Sequence, residues 1–179
     1  MDIQRRITLA WLAGGALAAA PWNCVAADPV VLRIYKQDAG NPKQAANVAS
    51  KAGAPSVLVA SYDMAFLKGL PQHSFVSQTP WFKKPVTFTG PLLRDVLSAA
   101  KVKGAVVYAV AIDEYRAQIP FSDCVQHDMI LAHQIDGETL TPKNKGPLFV
   151  VYPYDSKPEL QSVRFYERSI WQLKSLRVE

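Results

Sequence analysis

The sequence predicts an α+β domain with a mostly antiparallel sheet or barrel. Many short runs rich in β-branched and aromatic residues are separated by polar turns that contain Gly or Pro. Only two or three short stretches have helical spacing, and a hairpin signal, Asp136-Gly137, lies between two extended runs. The 179 residues contain no internal repeat, which favours a single domain.

The first part of the domain is predicted to hold two strands and one helix. Residues 30–36 (VVLRIYK) are rich in β-branched residues and predict the first strand. Residues 37–55 are polar and contain Gly and Pro, so we expect an excursion over the surface, followed by a short strand at 56–60. The apolar spacing within residues 62–71 predicts a short helix that stops at a Gly and a Pro.

The middle of the chain predicts the centre of the sheet. A strand of alternating type at 85–90 precedes a helix at 91–101, with Pro91 at the favoured first-turn position. Residues 105–112 (AVVYAVAI) are apolar on both faces, which is typical of a central strand. Residues 115–120 predict its neighbour in the sheet.

The last third predicts shorter elements. Residues 121–128 indicate a short helix or turn, and residues 129–140 indicate the hairpin. Residues 146–153 (GPLFVVYP) predict another buried strand, followed by a loop. Residues 173–178 (LKSLRV) predict the last strand.

The N-terminal segment has the order of a secretory signal peptide. Arg5 and Arg6 precede an apolar run, and Val25 and Ala27 occupy the small-residue positions of a cleavage site. We therefore expect residues 1–27 to be removed and residues 28–179 to form a periplasmic domain. The alternative is an uncleaved anchor, for which the run is short.

Charge and cysteine usage exclude several classes of function. Removal of two arginines and one aspartate with the signal lowers the net charge from +5 to +4. The sequence also has no Lys/Arg-rich run interleaved with aromatic residues, so nucleic acid is not an expected partner. Cys124 is then the single cysteine, which leaves no internal disulfide. His127 and His133 complete no zinc pattern, and no nucleophile or phosphate-loop motif is present.

An ordered set of segments resembles a known family. The set consists of FLKGLPQHSFVSQTPW, VTFTGPLLRDVL, YRAQIPFSD, ILAHQIDGETL, GPLFVVYP and YERSIWQLKSLRV, within Ser56 to Val178. It resembles the molybdopterin-binding fold of sulfite oxidases. The resemblance implies an α+β domain with a mixed, partly barrel-like sheet, short helices and a pterin cleft formed by loops from several strands.

The sequence departs from this family at one important position. Sulfite-oxidase-like enzymes hold molybdenum through a cysteine thiolate, a soft ligand suited to the metal, upstream of the segments matched here. This chain has no cysteine there, and Cys124 lies where the family has a short helix away from the metal. The chain is therefore most similar to small periplasmic pterin-binding regulators. The resemblance implies that it binds a reduced, tetrahydropterin-type ligand and signals to an inner-membrane diguanylate cyclase/phosphodiesterase.

Candidate site residues follow from what a pterin requires. A flat heteroaromatic ring needs an aromatic face to stack on and polar groups in the ring plane. Trp81 and Trp171, the tryptophans of the expected mature chain, both lie in matched segments. We expect Trp81 to supply the face and His73, Ser74 and Thr79 to bind the edge. A core role for Trp171 is one alternative, and for His73 the alternatives are a surface position, a hydrogen-bonded core position or a role in bracing the loop.

Two further residues complete the predicted site. Tyr115 follows the central strand and can close the pocket. Arg168 precedes a buried strand and is expected to reach a carbonyl or the ligand, since a charge in such a place needs a partner. Asp113 and Glu114 are adjacent and would point to opposite faces of an extended chain, so a tight turn capped by Asp is expected rather than an acid/base pair.

Two functions from different classes follow. The first is a non-catalytic periplasmic protein that captures a reduced pterin and reports its presence to a membrane enzyme. The alternative is a molybdopterin-dependent oxidoreductase of the sulfite-oxidase type, in which Cys124 is the candidate metal ligand. An assembly domain with no ligand is a third reading.

Overall fold

The computed structural model describes residues 28–37 and 56–179. The predicted signal peptide, residues 1–27, lies outside the described residues, as does nearly all of the predicted surface excursion at 37–55. In the part that is described, no helix is both long enough and apolar enough to span a membrane.

The larger sheet has five strands in the order β2-β1-β11-β5-β6. Strand β1 lies parallel to β11, and the other neighbours are antiparallel, so the mixed sheet expected from the resemblance is confirmed. The run expected to be central lies between β11 and β6, with Val107, Ala109 and Ala111 buried. The strands are β1 Val30–Gln37, β2 Ser56–Asp63, β5 Val106–Ala111, β6 Arg116–Pro120 and β11 Leu173–Val178.

A second, antiparallel sheet has the order β3-β4-β8-β9. The hairpin predicted from Asp136-Gly137 is confirmed, because both residues have positive φ angles, 50° and 80°, as a tight hairpin turn of this kind requires. The strands are β3 Gln72–Ser77, β4 Val86–Pro91, β8 Gln134–Ile135 and β9 Glu138–Thr139.

A two-stranded sheet joins the other two. It pairs β7 Ile130–Ala132 with β10 Phe149–Val151. Gly90 of β4 faces the backbone of Leu131 so closely that a Cβ atom would collide with it, which explains a glycine at this position. Single bridges link Leu92 to Ile130 and Val150 to Ile170. Within the described ranges these sheets do not close into a barrel, so the barrel-like element of the expectation is replaced by three connected open sheets.

The described residues contain four short α-helices. The helix predicted after β2 is confirmed, with the Asp63 side chain accepting from the Phe66 N–H at its start. Pro91 was expected in the first turn of the next helix, but it ends β4, and that helix begins two residues later because Gly90 and Pro91 still pair with β3. The helices are α1 Met64–Gly69, α2 Leu93–Ala99, α3 Phe121–Gln126 and α4 Val163–Arg168.

The C-terminal part differs most from the sequence-based expectation. The predicted loop at 153–160 contains two 3-10 helices, Tyr154–Ser156 and Pro158–Leu160, and α4 was not predicted. One apolar core lies between the sheets and helices. Its largest fully buried side chains include Tyr152, Tyr154, Phe88, Phe149 and Leu97.

Candidate functional site

A cleft of about 390 Å³ opens where three segments meet. One is the end of β5 with the turn to β6, another is α4 with the residues that follow it, and the third is the loop between β3 and β4. Its volume lies in the range of small-molecule sites. It is lined by Pro80, Trp81, Ala111, Asp113, Tyr115, Val163, Tyr166, Glu167, Ser169, Ile170 and Trp171.

Trp81 is the centre of an aromatic cluster at this cleft. Its ring meets Phe149, Tyr166 and Trp171 edge to face, with centroids 5.5, 6.1 and 5.6 Å away. The side chain is half-buried, so one side packs on the core while another part lines the cleft. Trp81 therefore lies where the predicted stacking face would have to be, and its contact with a ligand stays a prediction.

The loop that carries Trp81 is held by polar contacts from a distant segment. The backbone N–H of Gln78 donates to Asp155 Oδ2 at 2.8 Å, and the Gln78 side chain donates to the carbonyl oxygens of Thr79 and Phe82. These contacts fix the chain on both sides of Pro80, so the indole is placed before any ligand arrives.

Trp171 lies in the same wall and is also half-buried, so it is both a packing residue and a cleft residue. The two indole planes are inclined by 71°, which means that a flat ligand stacked on one ring meets the other with its edge. The Lys145 ammonium lies 4.4 Å from the centre of the Trp171 ring, a cation–π contact.

Tyr115 stands at the rim of the cleft on the β5–β6 turn. Asp113 Oδ1 accepts from the Tyr115 N–H at 3.1 Å, and Glu114 has a φ of 70°, so the turn capped by Asp is confirmed. Glu114 forms an ion pair with Lys174 and does not line the cleft. The Tyr115 hydroxyl donates to the Glu167 carbonyl oxygen at 3.3 Å, which connects the turn to α4 across the rim.

Helix α4 brings Tyr166 and Glu167 to the opposite wall, and Ser169 follows. The Ser169 hydroxyl contacts the buried Tyr154 hydroxyl and donates to the Phe165 carbonyl oxygen. Burial raises the pKa of Tyr154, so its hydroxyl stays protonated. This polar pair closes the inner end of the cleft without leaving an unsatisfied hydroxyl there.

Arg168 points away from the cleft lining. Its Nη1 donates to Asp123 Oδ2 at 2.6 Å, and the side chains are only 15% and 7% exposed. The Tyr152 hydroxyl donates to the same oxygen at 2.9 Å, and burial together with the Asp123 charge raises the pKa of Tyr152. The partner of Arg168 is therefore the Asp123 carboxylate and not the backbone carbonyl that was one expectation, while its predicted contact with a ligand stays a prediction.

Three other predicted residues lie outside the cleft lining. His73 and Ser74 are exposed on β3, where the Ser74 hydroxyl hydrogen-bonds with Thr89 Oγ1 at 2.7 Å. Neighbours on a strand face opposite sides, so they form no pair. Thr79 is buried next to Pro80, and its hydroxyl has no hydrogen-bond partner among the described residues. Their predicted ligand contacts stay predictions, and His73 agrees better with the surface alternative.

Tyr166 lines the cleft without having been predicted to do so, and Asp113 lines it in addition to its predicted role in the turn. Glu167 was not predicted to line the cleft either, because the short helix α4 was not recognised. The signal for that helix was Ser162 in the N-cap position followed by six residues without Gly or Pro. With the helix in place, the spacing of Val163, Tyr166 and Glu167 puts all three side chains on one face.

The cleft suits a planar organic ring better than a metal centre. Its lining contains no cysteine, and within residues 28–37 and 56–179 no cluster of three His, Cys, Asp or Glu residues could hold a metal ion. Cys124 is fully buried on α3, and burial and the neighbouring Asp123 raise its pKa to about 12, whereas a metal ligand must be a thiolate. The lining residues therefore offer aromatic surface to a planar ring such as the pterin part of a molybdenum cofactor, and no thiolate to its metal.

Comparison with known proteins agrees with the geometry. The family model described as the oxidoreductase molybdopterin binding domain matches residues 67–156, half of the chain. The matched range contains β3 to β10 and two segments of the cleft wall, the β3–β4 loop and the β5–β6 turn. No curated protein matches the chain.

Proposed function

Because the chain belongs to the family of oxidoreductase molybdopterin-binding domains, we propose that it captures a pterin in the aromatic cleft and does not turn it over. The single observation that carries the proposal is the composition of the cleft. Trp81, Trp171, Tyr115 and Tyr166 provide aromatic surface in about 390 Å³, and the lining offers no thiol for a metal.

The arrangement supports binding by stacking plus edge hydrogen bonds. A pterin ring can lie against one indole while the second indole and the tyrosines bound its edges. Carboxylate and hydroxyl oxygens of Asp113, Glu167 and Tyr166 supply polar partners for the ring edge. We propose a reduced, tetrahydropterin-type ligand, as the resemblance to the periplasmic regulators implies.

The same resemblance supports a place and a partner. We propose that the chain is exported through residues 1–27 and that the pterin-loaded domain docks on the periplasmic domain of an inner-membrane diguanylate cyclase/phosphodiesterase. Exposed side chains at and beside the rim, Tyr115, Ile112 and Val163, are 49 to 67% accessible and would adjoin the bound ligand. A partner docking there would sense whether the cleft is filled.

The alternative function is a molybdopterin-dependent oxidoreductase, which the family description itself favours. The observation against it is the state of Cys124, which is buried, protonated and absent from the cleft lining. Stoichiometric molybdenum in the purified protein, lost in Cys124→Ser, would establish the alternative.

The test is ligand identification. The full chain is purified from its host, denatured, and the released small molecules are analysed by pterin fluorescence and mass spectrometry, with molybdenum measured in parallel. A pterin without molybdenum is the expected result. Absence of any pterin, together with no binding of added tetrahydroneopterin at micromolar concentration, would refute the proposal. The partner is tested separately by asking whether added pterin changes cyclase output in membranes.

A further inference from the structure

The charged side chains that line the cleft are both acidic. Asp113 lies in the β5–β6 turn and Glu167 on α4, and among the residues that the structure describes no Lys, Arg or His belongs to the lining. Two nearby cations are neutralised elsewhere, since Arg168 pairs with Asp123 and Lys174 pairs with Glu114. A third cation, Lys145, lies against the Trp171 ring of the cleft wall but is not itself a lining residue. Both residues are exposed, so their carboxylates attract N–H donors and repel anions with an energy that water and salt reduce.

The two carboxylates are not equivalent. Asp113 is engaged, because its Oδ1 caps the turn by accepting from the Tyr115 N–H. In the part of the chain that the structure describes, the Glu167 carboxylate has neither an ion pair nor a hydrogen bond. Both of its oxygens can therefore accept from a ligand.

The backbone around Glu167 is fixed from two sides. The next residue, Arg168, holds the buried Asp123 at 2.6 Å, and the Tyr115 hydroxyl donates to the Glu167 carbonyl oxygen at 3.3 Å. A carboxylate on a positioned backbone loses less freedom when a ligand binds, which favours specific recognition.

We propose that the Glu167 carboxylate selects the ligand by accepting two parallel N–H donors from one edge of a planar heterocycle. Two adjacent acceptor oxygens match an edge with two adjacent donors, as a guanidinium group does when it binds a carboxylate. The 2-amino-4-oxo ring of a pterin has such an edge in its amino group and its ring N–H. The inference rests on the proposed pterin site and adds which side chain recognises the edge of the ring.

The same charges define what the cleft rejects. A phosphate ester placed among the lining residues that the structure describes meets two carboxylates and no cation of the lining, the nearby Lys145 being engaged with the Trp171 ring. The selected ligand class is therefore an unphosphorylated, donor-edged ring, and a phosphorylated pterin such as molybdopterin is disfavoured unless its phosphate points out of the cleft.

A specificity exchange tests the role of Glu167. The probes are 6-hydroxymethylpterin and 6-hydroxymethyllumazine, which differ because a carbonyl replaces the 2-amino group, so that the lumazine edge offers one donor and one acceptor. Titration calorimetry on the full chain should show the pterin bound about tenfold or more tightly than the lumazine. In Glu167→Gln the amide matches the lumazine edge, so the preference should shrink or reverse.

Glu159→Gln is the matched control, since it removes one exposed carboxylate outside the lining and should keep the wild-type preference. Glu167→Ala is the second variant, to be used if the glutamine variant folds poorly. It should lose the preference for the pterin without gaining affinity for the lumazine. If the wild type binds the pterin and both Glu167 variants keep the wild-type ratio of pterin affinity to lumazine affinity, this inference alone is overturned. Wild-type protein that binds neither ring would overturn the proposed function as well.

A second arm uses the wild-type chain only. Neopterin should bind about tenfold or more tightly than neopterin monophosphate at low ionic strength, and added salt should narrow the difference because it screens the repulsion. Equal or tighter binding of the monophosphate would show that the lining carboxylates do not repel a phosphate group.

Discussion

Arg168 and Asp123 form an ion pair at 2.6 Å beneath the cleft, and the Tyr152 hydroxyl donates to the same carboxylate oxygen. The pair links α3 to the end of α4, the helix whose outer face carries Glu167 and Tyr166. Through this pair Arg168 helps to hold the end of α4 in place, and its predicted contact with a ligand stays a prediction.

Arg168→Met should lower the free energy of unfolding by about 3 to 5 kcal/mol, because removal of one partner leaves a buried, unpaired carboxylate. Urea denaturation measures this. Arg94→Met is the matched control, since its pair with Asp128 is largely exposed and should contribute less than about 1 kcal/mol. Arg168→Met with Asp123→Asn should recover part of the loss. Equal losses for Arg94→Met and Arg168→Met would contradict the buried role.

Trp81→Ala should weaken pterin binding by about 1 to 3 kcal/mol, because an aromatic stacking surface is lost. Trp81→Phe keeps a smaller ring and should lose less. Calorimetric affinity is compared with the thermal midpoint, since Trp81 also packs on Phe149 and Tyr166. Phe66→Ala, an exposed aromatic outside the cleft, should leave affinity unchanged. Unaltered affinity in Trp81→Ala would remove this residue from the site.

His133 is buried in an arrangement that suits its neutral form. The Gln72 amide nitrogen donates to backbone carbonyl oxygens of Leu67 and Leu70, so the Gln72 oxygen accepts from His133 Nε2, at 2.8 Å. The Nδ1 atom is buried without a partner among the described residues. Burial, with a smaller contribution from the Lys68 charge, lowers the pKa of His133.

The lowered pKa gives stability a defined pH dependence. Above about pH 6.5, the usual histidine pKa, neither state binds this proton. Below it the unfolded chain gains a proton that the folded chain does not, so stability falls as the pH drops from 6.5 towards the folded pKa. In His133→Gln this part of the slope should disappear in urea titrations at stepped pH. The exposed His73→Gln should retain it, and an unchanged slope in His133→Gln would count against the assignment.

The Cys124 thiol should be unreactive in the folded protein, because burial and the Asp123 charge raise its pKa to about 12. When the full chain is titrated with a thiol reagent under native conditions, the number of reactive thiols per chain should be the same for wild type and Cys124→Ser. In urea the wild type should react with one thiol more. Pterin affinity should be equal in the two proteins. Rapid native labelling of Cys124 would reopen its candidacy as a metal ligand.

Most of the fold was predictable because its signals are local. The β-branched run at β5 and the Asp-Gly turn between β8 and β9 each specify their geometry over a few residues. The parallel pairing of β1 with β11 depends on contacts between the two ends of the described chain, which no local pattern contains. The division of the strands among three connected sheets also depends on packing between distant segments, which no local pattern contains.

The site was predictable in its aromatic residues but not in its charges. Trp81, Trp171 and Tyr115 do line the cleft, and they could be singled out because tryptophan is rare in the chain and Tyr115 directly follows the central strand; their contacts with a ligand stay predictions. Glu167 was not predicted to line the cleft, since its position there depends on the unrecognised helix α4. The sequence alone also does not show that Asp123, 45 residues before Arg168, lies within 2.6 Å of it.

The position of Trp81 and Trp171 has a spectroscopic consequence. The chain has four tryptophans, and the other two, Trp11 and Trp22, lie in residues 1–27. If that segment is removed, all indole emission comes from two rings whose centroids are 5.6 Å apart in the wall of one cleft. A bound pterin absorbs in the near ultraviolet and would lie within energy-transfer distance of both, so the domain carries its own optical reporter of occupancy.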